Sequence, residues 1–528
     1  MRLLTQEEMV RIRLYVHEKF FDKVALELGR LSVLHVVDVR GENEDFGGHV
    51  SPIELSERYH KLRYDLSKVE GVMSRLDIPL QGGEPAGLEE EKAAEIIEDV
   101  EKSLEAGRTE EEVASQYGEA LKKVFTFIQA GMKMEEFRSK CGKTKRVIVV
   151  EGWMPKNRMD STYERLKNVS EGKVTLTTLS QEEEEPPSKI TFPEGFQLLK
   201  TFSKLTTGFS FPGYKEINPT VFQLVSYPII FGFMFGDFGQ GLILFAFGLL
   251  MEYARRKGLK FGGELGDMVI QNGLFISVIG LLATIIGLVN YGVVFGSPEW
   301  GHTVREAVGL GFLNEHEVWN VNLGGIKVPL VFEPLHHPTK LLILSIFIGC
   351  VHISLGLIIS LINHIRRKEY RDLLIGPGIR LWLYWGGIVY LFFFIVLREG
   401  LAEVFTMNAM LLLFLPFTVM LVFQLKFHGM DGMAESLEAI LTSISHTISY
   451  ARILALNLAH EVFNLIFLTA GAALGMAGII AAVVLGSIAV LLLEGILSLI
   501  HTLRLHWVEW FTKFYHGDGV EYTPFSIY

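Results

Sequence analysis

"SHTISYARILALNLAHEVFNLIF", residues 445–467, carries one guanidinium, Arg452, in a stretch otherwise apolar enough to lie in hydrocarbon. A charge near the centre of a bilayer costs from about 3 to more than 10 kcal/mol, so chance placement explains it poorly. At about 100° per residue, Glu438, Ser445, Ser449, Arg452, Leu456 and His460 project within about 40° of a common direction. The polar groups line one stripe. The last apolar run carries a second stripe, Glu494, Ser498, His501 and Leu505, with Arg504 beside it. Both runs, 435–470 and 474–513, read as continuous helices far longer than an upright crossing needs, so they tilt strongly or project from the bilayer.

Further apolar runs long enough to cross about 30 Å of hydrocarbon at about 1.5 Å per residue fall near 268–295, 339–364, 379–398 and 405–425. The run 219–251 is too long for one simple crossing, and its centre, "FGDFGQG", holds glycines and Asp237 that suit a turn. Basic segments "ARRKGLK" (254–260) and "RRKEYR" (366–371) belong on the cytoplasmic side, whereas the loop 296–338 has no basic cluster. With the soluble half also inside, 219–251 crosses twice. That gives eight crossings, both termini inside, and Asp237 at an outer hairpin tip, as a turn or cap residue or as part of an ion path.

Up to about residue 215 the 528-residue chain is soluble and charged, and from Pro219 it is dominated by apolar runs. The expected domains are therefore 1–215 and 216–528. The N-terminus lacks the continuous apolar region of a secretory signal, which keeps the soluble half in the cytoplasm. The formal net charge of -11 argues against a nucleic-acid partner. Cys141 and Cys350 lie in different halves, with neither disulfide logic nor metal-ligand spacing around them. "PLHHP" (334–338) reads as an outer-loop turn rather than a metal site.

In the soluble half, strand, helix and strand patterns occur at about 10–40 and again at about 145–180, predicting two small βαβ units. Between them, Leu55, Tyr59, Leu62, Leu66, Val69, Met73 and Leu76 form one apolar seam, and Val113, Tyr117, Ala120 and Val124 form another. Pro and Gly in "IPLQGGEPAGLEEE" reverse the chain between the two. "CGKTKR" (141–146) fails as a phosphate loop because Phe137 stands where its first glycine belongs. "QEEEEPP" (181–187) reads as a solvated linker. The fold class expected is an α+β lobe with long antiparallel coiled-coil helices, followed by an all-α membrane domain of about eight crossings that ends in two long tilted helices.

Three readings of Arg452 compete. It pairs permanently with an intramembrane acid such as Glu494; it holds an anionic substrate of a transporter; or it faces a mobile carboxylate on another protein. Guanidinium suits the last task because it stays protonated at any working pH, and its charge favours the ionised form of a nearby carboxyl. Glu438, His460, Glu494 and His501 are candidates for polar access paths, or else hydrogen-bonded helix contacts. Ser445, Ser449 and Ser498 are weaker candidates, since serine commonly bonds its own helix backbone.

"SHTISYARILALNLAH" (445–460), "GILSLIHTLRLHWVEWFTKFY" (495–515), "FGFMFGDFGQGLIL" (231–244), "INPTVF" (217–222) and "VEGWMP" (150–155) together resemble subunit a, or subunit I, of the V-type and archaeal A-type rotary ATPases. The resemblance implies a non-catalytic, ion-translocating stator without a cofactor, in an archaeal or bacterial cell membrane. It places the family's essential arginine on Arg452 and its half-channel residues on Glu438, His460, Glu494, His501 and Arg504. The implied partners are a proteolipid c-ring, peripheral-stalk subunits of the E/G type, central-stalk subunits and the lipid bilayer, with ATP chemistry on other subunits of the complex. The soluble arm is shorter than usual for that family. A secondary transporter with a cytoplasmic regulatory domain is the alternative, but neither an internal membrane repeat nor helices broken at mid-membrane are evident in the sequence.

Overall fold

The structure is a computed structural model that describes residues 6–39, 51–76, 78, 90–106, 109–179, 185–190, 192, 196–259, 263–314, 318–323, 326–389 and 407–527. It divides into two compact units: a lobe, Glu7–Lys189 with Gly519–Tyr528, and a membrane unit, Met1–Gln6 with Ile190–Asp518. The division thus falls some 25 residues before the composition boundary near 215, and the last ten residues return to the lobe. Amphipathic α6 (Gln197–Thr207) accounts for the first difference: its buried Phe202 packs edge-on against Tyr227 and Phe275 of apolar helices.

In the lobe, strand β1 (Met9–His17) alternates so that Ile12, Leu14 and Val16 enter a core shared with Phe21, Val24, Ala25 and Leu28 of α1 (Phe21–Leu31). Ser32, left-handed at φ 48°, ends α1 with its N–H on Leu28 O at 3.0 Å. β2 (His35–Val37) follows, then short β3 (Ser51–Pro52). After the helical arm come β4 (Gly142–Lys143), β5 (Val147–Pro155), α5 (Met159–Val169) and β6 (Val174–Thr178). β5 and β6 flank β1, both antiparallel, and β2 pairs with β5. The two βαβ units therefore interleave into one sheet in the ferredoxin-like manner. Gly152 permits the β2 contact, since a Cβ there would lie 2.3 Å from His35 O.

Among the described residues the arm has three helices. α2 (Glu57–Arg75), α3 (Glu90–Glu105) and α4 (Glu110–Ser139) share a core of Leu62, Val69 and Met73 with Ala93, Ile97, Val100, Leu121 and Val124. α2 and α4 run antiparallel: Ser56 Oγ bonds Glu135 Oε2 at one end and Arg75 pairs with Glu110 at the other. Sequence spacing singled out two helices. The third escaped because its apolar residues, Ala93, Ile96, Ile97, Val100 and Leu104, are set among acids.

The C-terminal segment is held to the lobe by Phe525, whose N–H donates to Leu34 O at 2.8 Å and whose ring stacks on Phe137 at 4.2 Å. His35 Nδ1 lies 3.1 Å from both N and O of Thr523.

In the membrane unit, α7 (Thr220–Met234) and α8 (Phe238–Arg256) split the long first run, with α9 (Glu264–Gln271) and α10 (Gly273–Ile286) after them. Heptad-spaced glycines bring α8 and α10 together: a Cβ on Gly248 would lie 2.3 Å from Ser277 N, and one on Gly280 would lie 2.4 Å from Phe245 N. Those pairings are antiparallel. α7 runs parallel to α10, since Tyr227 meets Phe275 and Gly236 meets Tyr291. The chain consequently reverses between α7 and α8. Asp237 makes the reversal: it caps α8 through Gln240 N at 3.0 Å and accepts from Phe295 N at 3.0 Å and Gly296 N at 2.7 Å.

α11 (Pro298–Ala307) and a hairpin of β7 (Val318–Leu323) and β8 (Ile326–Phe332) occupy the following loop, where the sequence pattern signalled no structure. His336 and His302 both pair with Glu333 there. α12 (Pro338–Arg367), α13 (Tyr370–Leu373) and α14 (Ile379–Trp382) lead to α15 (Met407–Ser449), which is kinked at Gly429. α16 (Arg452–Ala472) and α17 (Gly475–Arg504) close the unit. Among the described residues four helices are long and apolar enough to span a bilayer: Gly273–Tyr291, Pro338–Arg367, Gly429–Ala472 and Gly475–Lys513. The expected crossing at 379–398 lies partly outside the described residues.

Burial lowers the His35 pKa below its ordinary value, and the nearby Lys140 charge acts in the same direction. With the C-terminal segment released and His35 solvated, the lobe binds a proton that the docked form holds less readily, so docking weakens as pH falls below about 6.5. Hydrogen exchange of amides 519–527, corrected for intrinsic rates, is expected to lose protection as pH falls below about 6.5, and His35→Asn to flatten that dependence. Asp237→Ala, which strands three buried N–H groups, is expected to destabilise the membrane unit by about 3 kcal/mol or more, read as a lowered unfolding midpoint in detergent. Asp237→Asn recovers part of the loss.

Candidate functional site

The site begins at a flaw in a helix. Between α15 and α16, Tyr450 N bonds Thr447 O at 3.2 Å, Ala451 N bonds Ile448 O at 2.9 Å and Ile453 N bonds Tyr450 O at 3.0 Å. These are i to i−3 bonds, a tightened turn inside the run that sequence spacing read as continuous. Arg452 opens α16 directly after it. Ser445 and Glu438, before the turn, are exposed, and Glu438 lies near Arg380 rather than Arg452. Ser449 donates its hydroxyl to Ser445 O at 3.0 Å and lies beside the Glu509 carboxylate.

Arg452 has Glu509 as its acid neighbour, Nη1 to Oε1 at 3.7 Å, with the two side chains 17% and 2% exposed. Neither Arg452 Nη1 nor Glu509 Oε2 has a hydrogen-bond partner among the described residues. The contact is loose by this protein's own standard: Arg255 grips Glu252 through two bonds of 2.8 and 2.7 Å. Half-buried His501, whose Nδ1 is unpartnered among the described residues, and exposed Arg504 complete the surroundings.

Glu509 reaches this place because α17 widens into a π turn over Leu505–Trp510. In a regular α-helix residues eight apart lie about 80° out of line, whereas the wider turn brings Glu509 to within about 10° of His501. Nothing in residue spacing signals that turn.

A second pair lies farther along the antiparallel helices α16 and α17. His460 Nδ1 meets Glu494 Oε2 at 2.8 Å, both groups are buried, and Phe235 stands edge-on to the imidazole at 4.5 Å. Glu494 is therefore the partner of His460, not of Arg452. Ser498, one turn on, is buried at 2% exposure.

Around this pair lies a set of polar groups that sequence reasoning passed over. Asn457, Glu461 and Asn464 on α16, Ser487 on α17 and Gln240 on α8 are all buried. Gln240 Nε2 donates to Asn464 Oδ1 at 2.6 Å, which links the set to the Asp237 cap. Both polar atoms of the Asn457 side chain, His460 Nε2, Glu461 Oε1, Asn464 Nδ2, Ser487 Oγ and Glu494 Oε1 lack partners among the described residues. Buried polar groups left so in apolar surroundings are places where water belongs. A signal existed: 457, 460, 461 and 464 have the i, i+3, i+4, i+7 spacing of one helix face.

Residues 87–298 and 429–527 match the V-type ATPase 116kDa subunit family. The chain is 25% identical to an A-type ATP synthase subunit I of Methanocaldococcus jannaschii, over 88% of this chain and 65% of that one. It is 27% identical to an A-type ATP synthase subunit I of Aeropyrum pernix, over 79% of this chain and 63% of the relative. It is 24% identical to a V-type proton ATPase 116 kDa subunit a 1 of Mus musculus, over 73% and 60%. The chain thus spans somewhat under two thirds of the length of these relatives. The matched segments hold Asp237, Arg452, His460, Glu494 and Glu509, and the chain belongs to the V-type ATPase 116kDa subunit family.

Proposed function

We propose that the chain is the membrane stator of a rotary ATPase of the V or A type, and that Arg452 is the fixed cation past which carboxylates of a proteolipid ring move. The observation that carries the reading is the guanidinium itself, set between two bilayer-length helices with one acid at 3.7 Å and no hydrogen bond on Nη1 among the described residues. A structural cation in hydrocarbon is tied off; a working one keeps bonding capacity for a visitor. Exposed apolar side chains beside it, Leu441, Ile444 and Ile448 on α15 and Leu493, Ile496 and Ile500 on α17, suit a ring surface or lipid.

The buried polar set from Asp237 and Gln240 through Asn464, Glu461, Asn457 and His460 to Glu494 is read as one ion access path. His501, Arg504, Ser498 and Glu509 flank the arginine, and Glu438, Ser445 and Ser449 line the approach from α15. Protons or sodium ions enter by one path, load a ring carboxylate, circle as a neutral site and leave by the other. Arg452 separates the paths by favouring the ionised carboxylate. Moving one proton across about 100 mV is worth about 2.3 kcal/mol, so several are coupled to each ATP turned over on partner subunits. The lobe and its arm serve as the cytoplasmic docking site for peripheral and central stalk subunits. The membrane unit crosses eight times, with both termini inside.

In vesicles holding the assembled complex, Arg452→Ala is expected to reduce ATP-driven ion uptake to background while the ring still copurifies. Arg452→Lys, which keeps charge but loses the planar fork, is expected to lower uptake by about tenfold or more. Uptake by the alanine variant at the native rate rejects the proposal. For topology, a thiol reagent that cannot cross the bilayer is expected to label His302→Cys only from outside and Arg366→Cys only from inside.

A further inference from the structure

Helices do not place an arginine at the end of a tightened turn without something to hold the turn. The residue that fixes this one is Tyr450, two positions before Arg452 and fully buried. Its ring lies on Gly349 of α12, where a Cβ would come within 2.6 Å of Tyr450 Cγ. Its hydroxyl meets Nδ1 of His352, one turn further along α12, at 2.7 Å. The same imidazole stacks on Trp510 with ring centroids 4.6 Å apart and planes 21° from parallel. Trp510 directly follows Glu509 and fits against Gly356, where a Cβ would lie 2.9 Å from its Cδ1. One face of α12, Gly349, His352 and Gly356, thereby grips both chain segments that supply the ion pair.

We propose that His352 is the positioning residue for Arg452: by bonding Tyr450 and stacking on Trp510, it holds the tightened turn and the π turn in register, so that guanidinium and Glu509 carboxylate face each other without closing into a tight pair. The inference rests on the ion-translocation reading for its consequence, but its physical content does not depend on it. His352 is 4% exposed and its Nε2 has no hydrogen-bond partner among the described residues. A buried imidazole with one satisfied nitrogen is costly unless its position is needed. His506 packs edge-on against it at 4.8 Å and is itself fully committed, to Thr502 O and Ser226 Oγ, both at 2.8 Å.

The test uses the assembled complex in nanodiscs for hydrogen exchange and in vesicles for the number of ions moved per ATP. Tyr450→Phe and His352→Ala are expected to speed exchange of amides 450–455 by about tenfold and to lower the coupling ratio, with the ring retained. Gly349→Ala, which displaces the Tyr450 ring, is expected to do the same. His352→Asn keeps a polar atom near the place of Nδ1 but loses the stacking face. It is expected to restore protection at 450–455 while leaving 505–511 loosened. A merely structural role predicts instead that exchange rises throughout α12 and α15–α17 in step with loss of assembly. That result, or native exchange at 450–455 in Tyr450→Phe, overturns the proposal. Arg452→Ala is measured alongside: if it still pumps, the ion-translocation reading fails, while the exchange data still decide whether His352 holds the turn.

Discussion

A guanidinium that hydrocarbon disfavours, and that its own chain only half satisfies, is the constraint from which the rest of the membrane unit follows. Desolvating a cation is offset by a close, multiply bonded partner; a cation only partly paired remains costly but keeps its charge available. Arg452 and Glu509, at 3.7 Å, stand between these cases. The carboxylate lowers the cost of burial without using all of the guanidinium's bonding capacity.

Holding that intermediate arrangement requires a rigid surround, because the loose pair at 3.7 Å is only about 1 Å from the 2.7 Å of a closed one. The surround is made of close helix contacts. Glycine faces bring α8 onto α10 and seat Tyr450 and Trp510 on α12. In lipid, where apolar burial alone does not drive helices together, such backbone approach is the main source of cohesion. Asp237 fixes the far end of the same assembly by taking three backbone N–H groups. Its carboxylate acts as the staple of a reversal, and through Gln240 and Asn464 it also ends the buried polar set. The two readings that the sequence leaves open for Asp237 are thus compatible in one place.

Much of this was legible in the residues. Long apolar runs marked the four bilayer-length helices found among the described residues, glycines with an aspartate marked the reversal at 237, and polar stripes included Arg452, His460 and Glu494. What escaped depends on departures from regular geometry. The tightened turn at 450–451 interrupts the projection that joined Glu438 and Ser445 to Arg452, and the π turn at 505–510 brings Glu509 onto a face where regular spacing does not place it. Neither has a composition cue. The third arm helix hid among acidic residues, and the C-terminal strap binds through Tyr522, Phe525 and Ile527, too few and too irregularly spaced to register as a pattern. Asn457, Glu461 and Asn464 were within reach of the sequence, at helical spacing around His460.

The central claim is tested most directly by the structure of the assembled complex at a resolution that shows side chains, with attention to what lies opposite Arg452. The account predicts a ring subunit's carboxylate within about 4 Å of the guanidinium, on the side away from Glu509. Finding Arg452 closed onto Glu509 by two short hydrogen bonds, with only lipid facing it, would contradict the account.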